Sequence, residues 1–395
     1  MRFARLRACA QAGTAALTLL ALFAFGSGQA LAHPTPPAPH YTAIDLGTLG
    51  GTGSSGFDLD RHTVVGAADL PSGIETHAFA YDRATHVMTD LGTLGGRTSS
   101  ALAVQGPYVI GDSTIAEGGF SSAFVYDLRT HVMTGLGTFG GTSSSVTGIS
   151  GHFVTGSART TGNQGSHAFA YDLRTGVMTD LGSLAGPSGV SSSVGISQGR
   201  YITGYSDIPG QPYPVRHAFL YDLRTHTMTD LGANGALSSQ PTSISGHTIV
   251  GYTEPSLPTS GDTPHGFAYD IRTHTWTDLG AELNYRPIVT GHTVVSSNRG
   301  VAYTYDLSTS TLTPFRPGLG RTNFNNATGP FVLGDVYPDS FGYIYRPNTG
   351  QFTELPAPGG LPSTATNADP HGAVVGNGAT PAGPYHATLW VPGHA

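Results

Sequence analysis

The sequence predicts an all-β chain folded as a single β-propeller with eight four-stranded blades. Three observations carry this prediction. The pattern "HAFAYDLRTGVMTDLG" (residues 167–182) recurs with small edits, as "HAFAYDRATHVMTDLG" from His77, "HAFLYDLRTHTMTDLG" from His217 and "HGFAYDIRTHTWTDLG" from His265. Each recurrence brings four short strand-like runs, and four strands in about 40–50 residues is the period of a propeller blade. The two ends of the chain are complementary fragments of one such unit. "YHATLWV" (Tyr385–Val391) lacks a fourth strand, and "YTAIDLG" (Tyr41–Gly47) is a fourth strand without its first three. Pairing Tyr41–Leu46 with the last unit closes a ring and removes two exposed sheet edges.

The chain opens with a segment that reads as a signal peptide, residues 1–32. Arg2, Arg5 and Arg7 precede an apolar run, Ala15 to Phe25, and Ala30-Leu31-Ala32 supplies small residues for cleavage. Eleven apolar residues are too few to span a bilayer of roughly 30 Å. A Pro-rich linker, 33–40, leads into the propeller, 41–395. The expected product is a secreted chain, extracellular or periplasmic, acting as a monomer, with no transmembrane segment in its mature part.

Aligned on their third residue, the repeats fall at Phe79, Phe124, Phe169, Phe219, Phe267, Tyr303, Tyr343 and Thr388, spaced by 45, 45, 50, 48, 36, 40 and 45 residues. In the third unit "SSSVTGIS" and "HFVTGSA" come first, then "HAFAYD" and "VMTDLG". Within "HAFAYD" alanines alternate with Phe169 and Tyr171, the period of two that a strand requires. The next segment, "DLRTG", reads as a type I turn closed by a left-handed residue, Gly176, with Gly350 in the same place in unit 7. His86, His131, His226 and His274 take that place elsewhere, and histidine tolerates positive φ better than most residues.

Composition excludes several functions. The only cysteine, Cys9, lies in the leader, which removes disulfides, thiol nucleophiles and cysteine-bound zinc from the mature chain. There is no lysine, and with it go Schiff bases. Without the three leader arginines, 15 basic residues face 25 acidic ones, a net charge of −10. A nucleic-acid partner needs clustered Lys and Arg, so none is expected. "GTGSSG" from Gly51 and "GISQG" from Gly195 mimic a dinucleotide loop and a hydrolase elbow. Both align with strand-to-strand turns of other units and lack the helix those motifs need.

The repeated polar residues read as structural. His77, His167, His217, His265 and His386 share strand parity with the aromatics after them. They are expected to sit half-buried against a backbone carbonyl. Ser122, Val301 and Phe341 break any histidine ring, so no metal and no cofactor is expected. Asp82, Asp172, Asp222 and Asp270 open the hairpin turns. Asp45, Asp90, Asp180, Asp230 and Asp278 head the "DLG" ends and suit the N–H groups of a glycine bend.

The "HAF-x-YD" core resembles the HAF repeats of bacterial exported repeat proteins, over the whole mature chain. Five units keep the histidine, and units six to eight depart from the pattern. "AYDIRTHTWTDLG" is also similar to the last two strands of kelch repeats. The resemblance implies a propeller and export, and brings no activity with it.

Strand alternation sorts the connections onto two faces. The hairpin-turn face is short and uniform. The other face carries the connections between second and third strands, which vary from unit to unit: 69–75, 157–166, 206–216 and 254–264. Varied loops on a repeated frame are where binding residues gather. Arg159, Asp207, Tyr213, Arg216, Glu254 and Asp262 are therefore the candidate ligand contacts, and no catalytic residue stands out. The expected function is a non-catalytic scaffold that binds a protein, a glycan or an envelope component. An enzyme acting on carbohydrate or a small molecule at the channel mouth, and a purely structural repeat module, are the alternatives.

Overall fold

The computed structural model describes residues 40–116, 118–210, 215–255, 263–315, 321–360 and 362–393. The signal peptide, residues 33–39 of the linker, Tyr213 and Asp262 lie outside the described residues.

Antiparallel four-stranded units follow one another along the chain. Unit 1 comprises Ser54–Leu59, Thr63–Asp69, Thr76–Asp82 and Val87–Gly92, and seven further units repeat this order. Units 1 and 2 are joined into one eight-stranded sheet by a single parallel bridge, Thr76 to Thr98. Units 6 and 7, whose sequences are the most degenerate, are still four-stranded; the first strand of unit 6 shrinks to Ile288–Thr290.

The third strand shows why the pattern repeats. Its alternation puts Phe79 and Tyr81 on one side and Ala78 and Ala80 on the other, and all four are buried. The aromatic side of each unit packs on the preceding unit and the alanine side on the next. Phe79 and Tyr81 meet Val375, Ala387 and Leu389, while Ala78 and Ala80 meet Val109, Phe124 and Tyr126. Large against small lets successive sheets interdigitate without voids. In register with each phenylalanine stands a second-strand glycine, such as Gly156 opposite Phe169. A Cβ there would come within 2.0 Å of the Ser145 carbonyl oxygen and 2.6 Å of the Phe169 ring. The glycine is the space into which the ring and the bulged first strand fit.

Eight apolar clusters result, each shared by two successive units, and they run full circle. The circle closes as the ends of the sequence predict. Tyr41–Asp45 pairs antiparallel with Tyr385–Pro392, from Tyr41 opposite Pro392 to Asp45 opposite Thr388. The Leu46 N–H donates to Ala387 at 3.0 Å, and the Tyr41 hydroxyl donates to the Gly372 carbonyl at 2.9 Å. The fold is a β-propeller.

Candidate functional site

The repeated histidines and aspartates meet. His77 Nδ1 lies 2.9 Å from both Asp90 carboxylate oxygens, and His167, His217, His265 and His386 stand likewise against Asp180, Asp230, Asp278 and Asp45. This corrects the expectation of a backbone carbonyl partner. In each hairpin the residue two places after the histidine stands opposite the aspartate, as Phe79 does to Asp90 and Thr388 to Asp45, which puts the two side chains together and which sequence spacing alone does not reveal. Because an ionised carboxylate can only accept, the proton sits on Nδ1. The same aspartates accept the N–H of the bend glycine, as expected: Asp90 from Gly92 and Asp180 from Gly182, both at 2.7 Å. At Asp278 burial works against the charge. The Gly280 N–H and His265 outweigh it and hold the carboxyl below its ordinary range.

At four of the five corners a serine completes the junction without forming a catalytic triad. Ser99, at the start of unit 2, accepts the Ala78 N–H at 2.8 Å and donates to the Gly92 carbonyl at 2.5 Å. Ser54, Ser191 and Ser239 repeat both bonds at their own junctions. The hydroxyl proton points at a carbonyl, so no histidine can activate this oxygen. The serine binds one unit to the next, while histidine and aspartate tie the third strand to the fourth within a unit.

The hairpin turns follow the sequence reading. His86, His131, His226, His274, Gly176 and Gly350 all have positive φ. Asp82 accepts the N–H groups of Ala84 and Thr85, and Asp172, Asp222 and Asp270 accept that of the residue two places on. The backbone N–H groups of Thr85 and Ala84 hold the Asp82 carboxyl below its usual range.

On the variable face, three sequence candidates come together. A cavity of about 440 Å³ opens across the edges of units 2, 3 and 4, and both Arg159 and Arg216 line it. Arg216 Nε donates to Asp207 at 3.2 Å, and its guanidinium lies 4.9 Å from the centre of the Tyr205 ring. Asp207 is anchored in turn by the Val190 N–H at 3.1 Å. Arg159 is exposed and has no side-chain partner among the described residues. Glu254 stands apart, accepting from the Ser238 hydroxyl at 2.9 Å.

Sequence reasoning missed the rest of the lining. Ser143, Ser145, Ser157 and Ser166 face the same cavity with Tyr205. Nothing in a Ser-rich repeat separates these from the junction serines, although Ser143 and Ser145 flank Ser144, which accepts the Ala123 N–H at the junction. A second polar cavity, about 590 Å³, gathers Tyr285, Arg286, Asn323 and Asn325, residues that lie in the degenerate units. A third, about 400 Å³, exposes the His265–Asp278 pair beside Trp276. There His265 is 46% exposed, against 5–19% in the other four pairs. Among the described residues, no group of three or more His, Cys, Asp or Glu could hold a metal ion.

Two inner-strand carboxyls are strongly perturbed. Burial pushes Asp58 up to about 6, against the opposing pull of the Val104 N–H and the Asn367 amide. Burial likewise pushes Asp112 up to about 6, opposed by the Val146 N–H. Each carboxyl accepts from the following unit, so both act at junctions.

No known sequence-family pattern matches the chain. No curated protein matches it either. Solved structures do. A Dos1 propeller is 11% identical, covers 89% of this chain and 94% of its own, and superposes with a TM-score of 0.57. A prolyl endopeptidase is 11% identical over 84% of this chain, TM-score 0.56, and Porphyromonas gingivalis dipeptidyl peptidase 4 is 10% identical over 85%, TM-score 0.54. The chain spans 55% and 57% of the lengths of those two peptidase chains. At such identities the likeness is one of fold, and it is to a β-propeller.

Proposed function

We propose that this chain is an exported, monomeric, non-catalytic propeller that binds a protein, glycan or envelope component through its variable face. The observation that carries the reading is a division of labour. The repeated Ser, His and Asp side chains are engaged in bonds within and between units, while Arg159 and the free serines open to solvent on the face whose connections vary. Export rests on the basic and apolar leader, and on the HAF-repeat resemblance of the "HAF-x-YD" core. No helix among the described residues is long and apolar enough to cross a membrane.

The test is an array of polysaccharides and envelope proteins probed with the folded chain. Retention on one class is expected. Exchanging connections 157–166 and 206–216 for the seven-residue connection 69–75 is expected to abolish it. Alanine at Arg174 and Arg224, on the opposite face, leaves it unchanged. Retention that survives the exchange refutes the assignment of the face, and turnover of an array component refutes the non-catalytic reading.

A further inference from the structure

We propose that the cavity shared by Arg159 and Arg216 is a saccharide site selective for sugars bearing a carboxylate. The inference rests on the binding reading above and names the ligand class. Its geometry combines three kinds of group. Arg159 ends the second strand of unit 3 (Phe153–Thr160), and Arg216 begins the third strand of unit 4 (Arg216–Asp222). Arg216 is held in place by Asp207 and the Tyr205 ring, whereas Arg159 is exposed and unpaired among the described residues. One oriented and one free guanidinium suit a planar carboxylate, which arginine binds through parallel N–H bonds.

Much of the remaining lining is hydroxyl. The junction serines have both bonds filled by backbone, but Ser143, Ser145, Ser157 and Ser166 have no side-chain hydrogen-bond partner among the described residues. Hydroxyls that can each donate and accept match the hydroxyls of a sugar ring. The cavity, about 440 Å³, falls in the size range of small-ligand sites.

Charge decides between classes of anion. Asp207 offsets part of the Arg216 charge, and Asp112 reaches the Val146 N–H next to Ser145. The site therefore carries at most one net positive charge, within a chain of net charge −7. That suits a single carboxylate and disfavours a polyphosphate. An acidic peptide fits less well. Apolar lining, which would seat the side chains of a peptide, is confined to Val190 and Tyr205.

Isothermal titration of the full chain with a hexuronic acid disaccharide, its neutral hexose counterpart and an acidic peptide tests this. The uronate is expected to bind, with the neutral sugar and the peptide weaker by about tenfold or more. Arg159→Ala, at an exposed position, should keep the melting temperature and weaken uronate binding by about tenfold. Ser145→Ala should weaken both sugars alike. Equal affinity for the two sugars, tighter binding of the peptide, no binding at all, or an unaffected Arg159→Ala each overturns the proposal. If array retention is lost on loop exchange but not in Arg159→Ala, the binding face stands and this ligand class falls.

Discussion

Asp58 shows how one residue couples the ring to pH. Its carboxyl accepts from Val104 of unit 2 and Asn367 of unit 8, so three units converge on it. With a folded pKa of about 6 against an ordinary 3.8, the folded state binds the proton more tightly than the unfolded chain does. The stability this contributes is fully present below about 3.8 and is lost as pH rises through about 6. The rise corresponds to roughly 3 kcal/mol at neutral pH. Asp58→Asn removes the titrating charge and leaves one acceptor oxygen where two now accept. We expect it to flatten the fall in stability between pH 4 and 6.5. A lower midpoint with an unchanged pH slope refutes the account. Nothing in "SSGFDL" marks this aspartate as special, because its partners are 46 and 309 residues away. The turn aspartates were legible, since Asp82 bonds to N–H groups two and three residues on.

At the scale of the element, the hairpin of third and fourth strands is the unit that repeats. Its turn, aromatic–alanine alternation and closing glycine bend are all local patterns, and all were read from the residues. The His–Asp pairing was not, because it depends on the register of the hairpin, which sets Phe79 opposite Asp90 and so brings His77 to it. If the pair is a structural clamp, its contribution should follow burial. His167→Ala is expected to cost about 1–3 kcal/mol in urea denaturation, and His265→Ala distinctly less, since their side chains are 5% and 46% exposed. An equal or larger loss at His265 assigns that more open pair a different role. The five copies of one geometry in five hairpins argue for the clamp over five reactive sites.

Over the whole molecule, stability is tied to closure. Each unit buries its two faces only between neighbours, so the ring has no free end to fray while Tyr41–Asp45 stays paired. The Ile44 N–H shares parity with that of Leu46, which donates to Ala387. Ile44→Pro removes a closing bond, at an expected cost of about 2–3 kcal/mol. Denaturation should then occur at lower urea, with oligomers appearing on size exclusion; an unchanged midpoint means the closure is not holding the ring. The closure itself could be read from the complementary ends, because a missing strand and a surplus strand are both visible in the residues. The sequence by itself determined the strands, the turns, the number of repeats and the face on which variation gathers, since all of these depend on neighbours within about one unit. The tertiary structure alone decided which of many serines are engaged at junctions and which are free. It also decided that Arg159 and Arg216, 57 residues apart, line one cavity, and that Glu254 does not. The physical reason is that a propeller site is assembled across blades, and residues distant in the chain share it only once the sheets have packed.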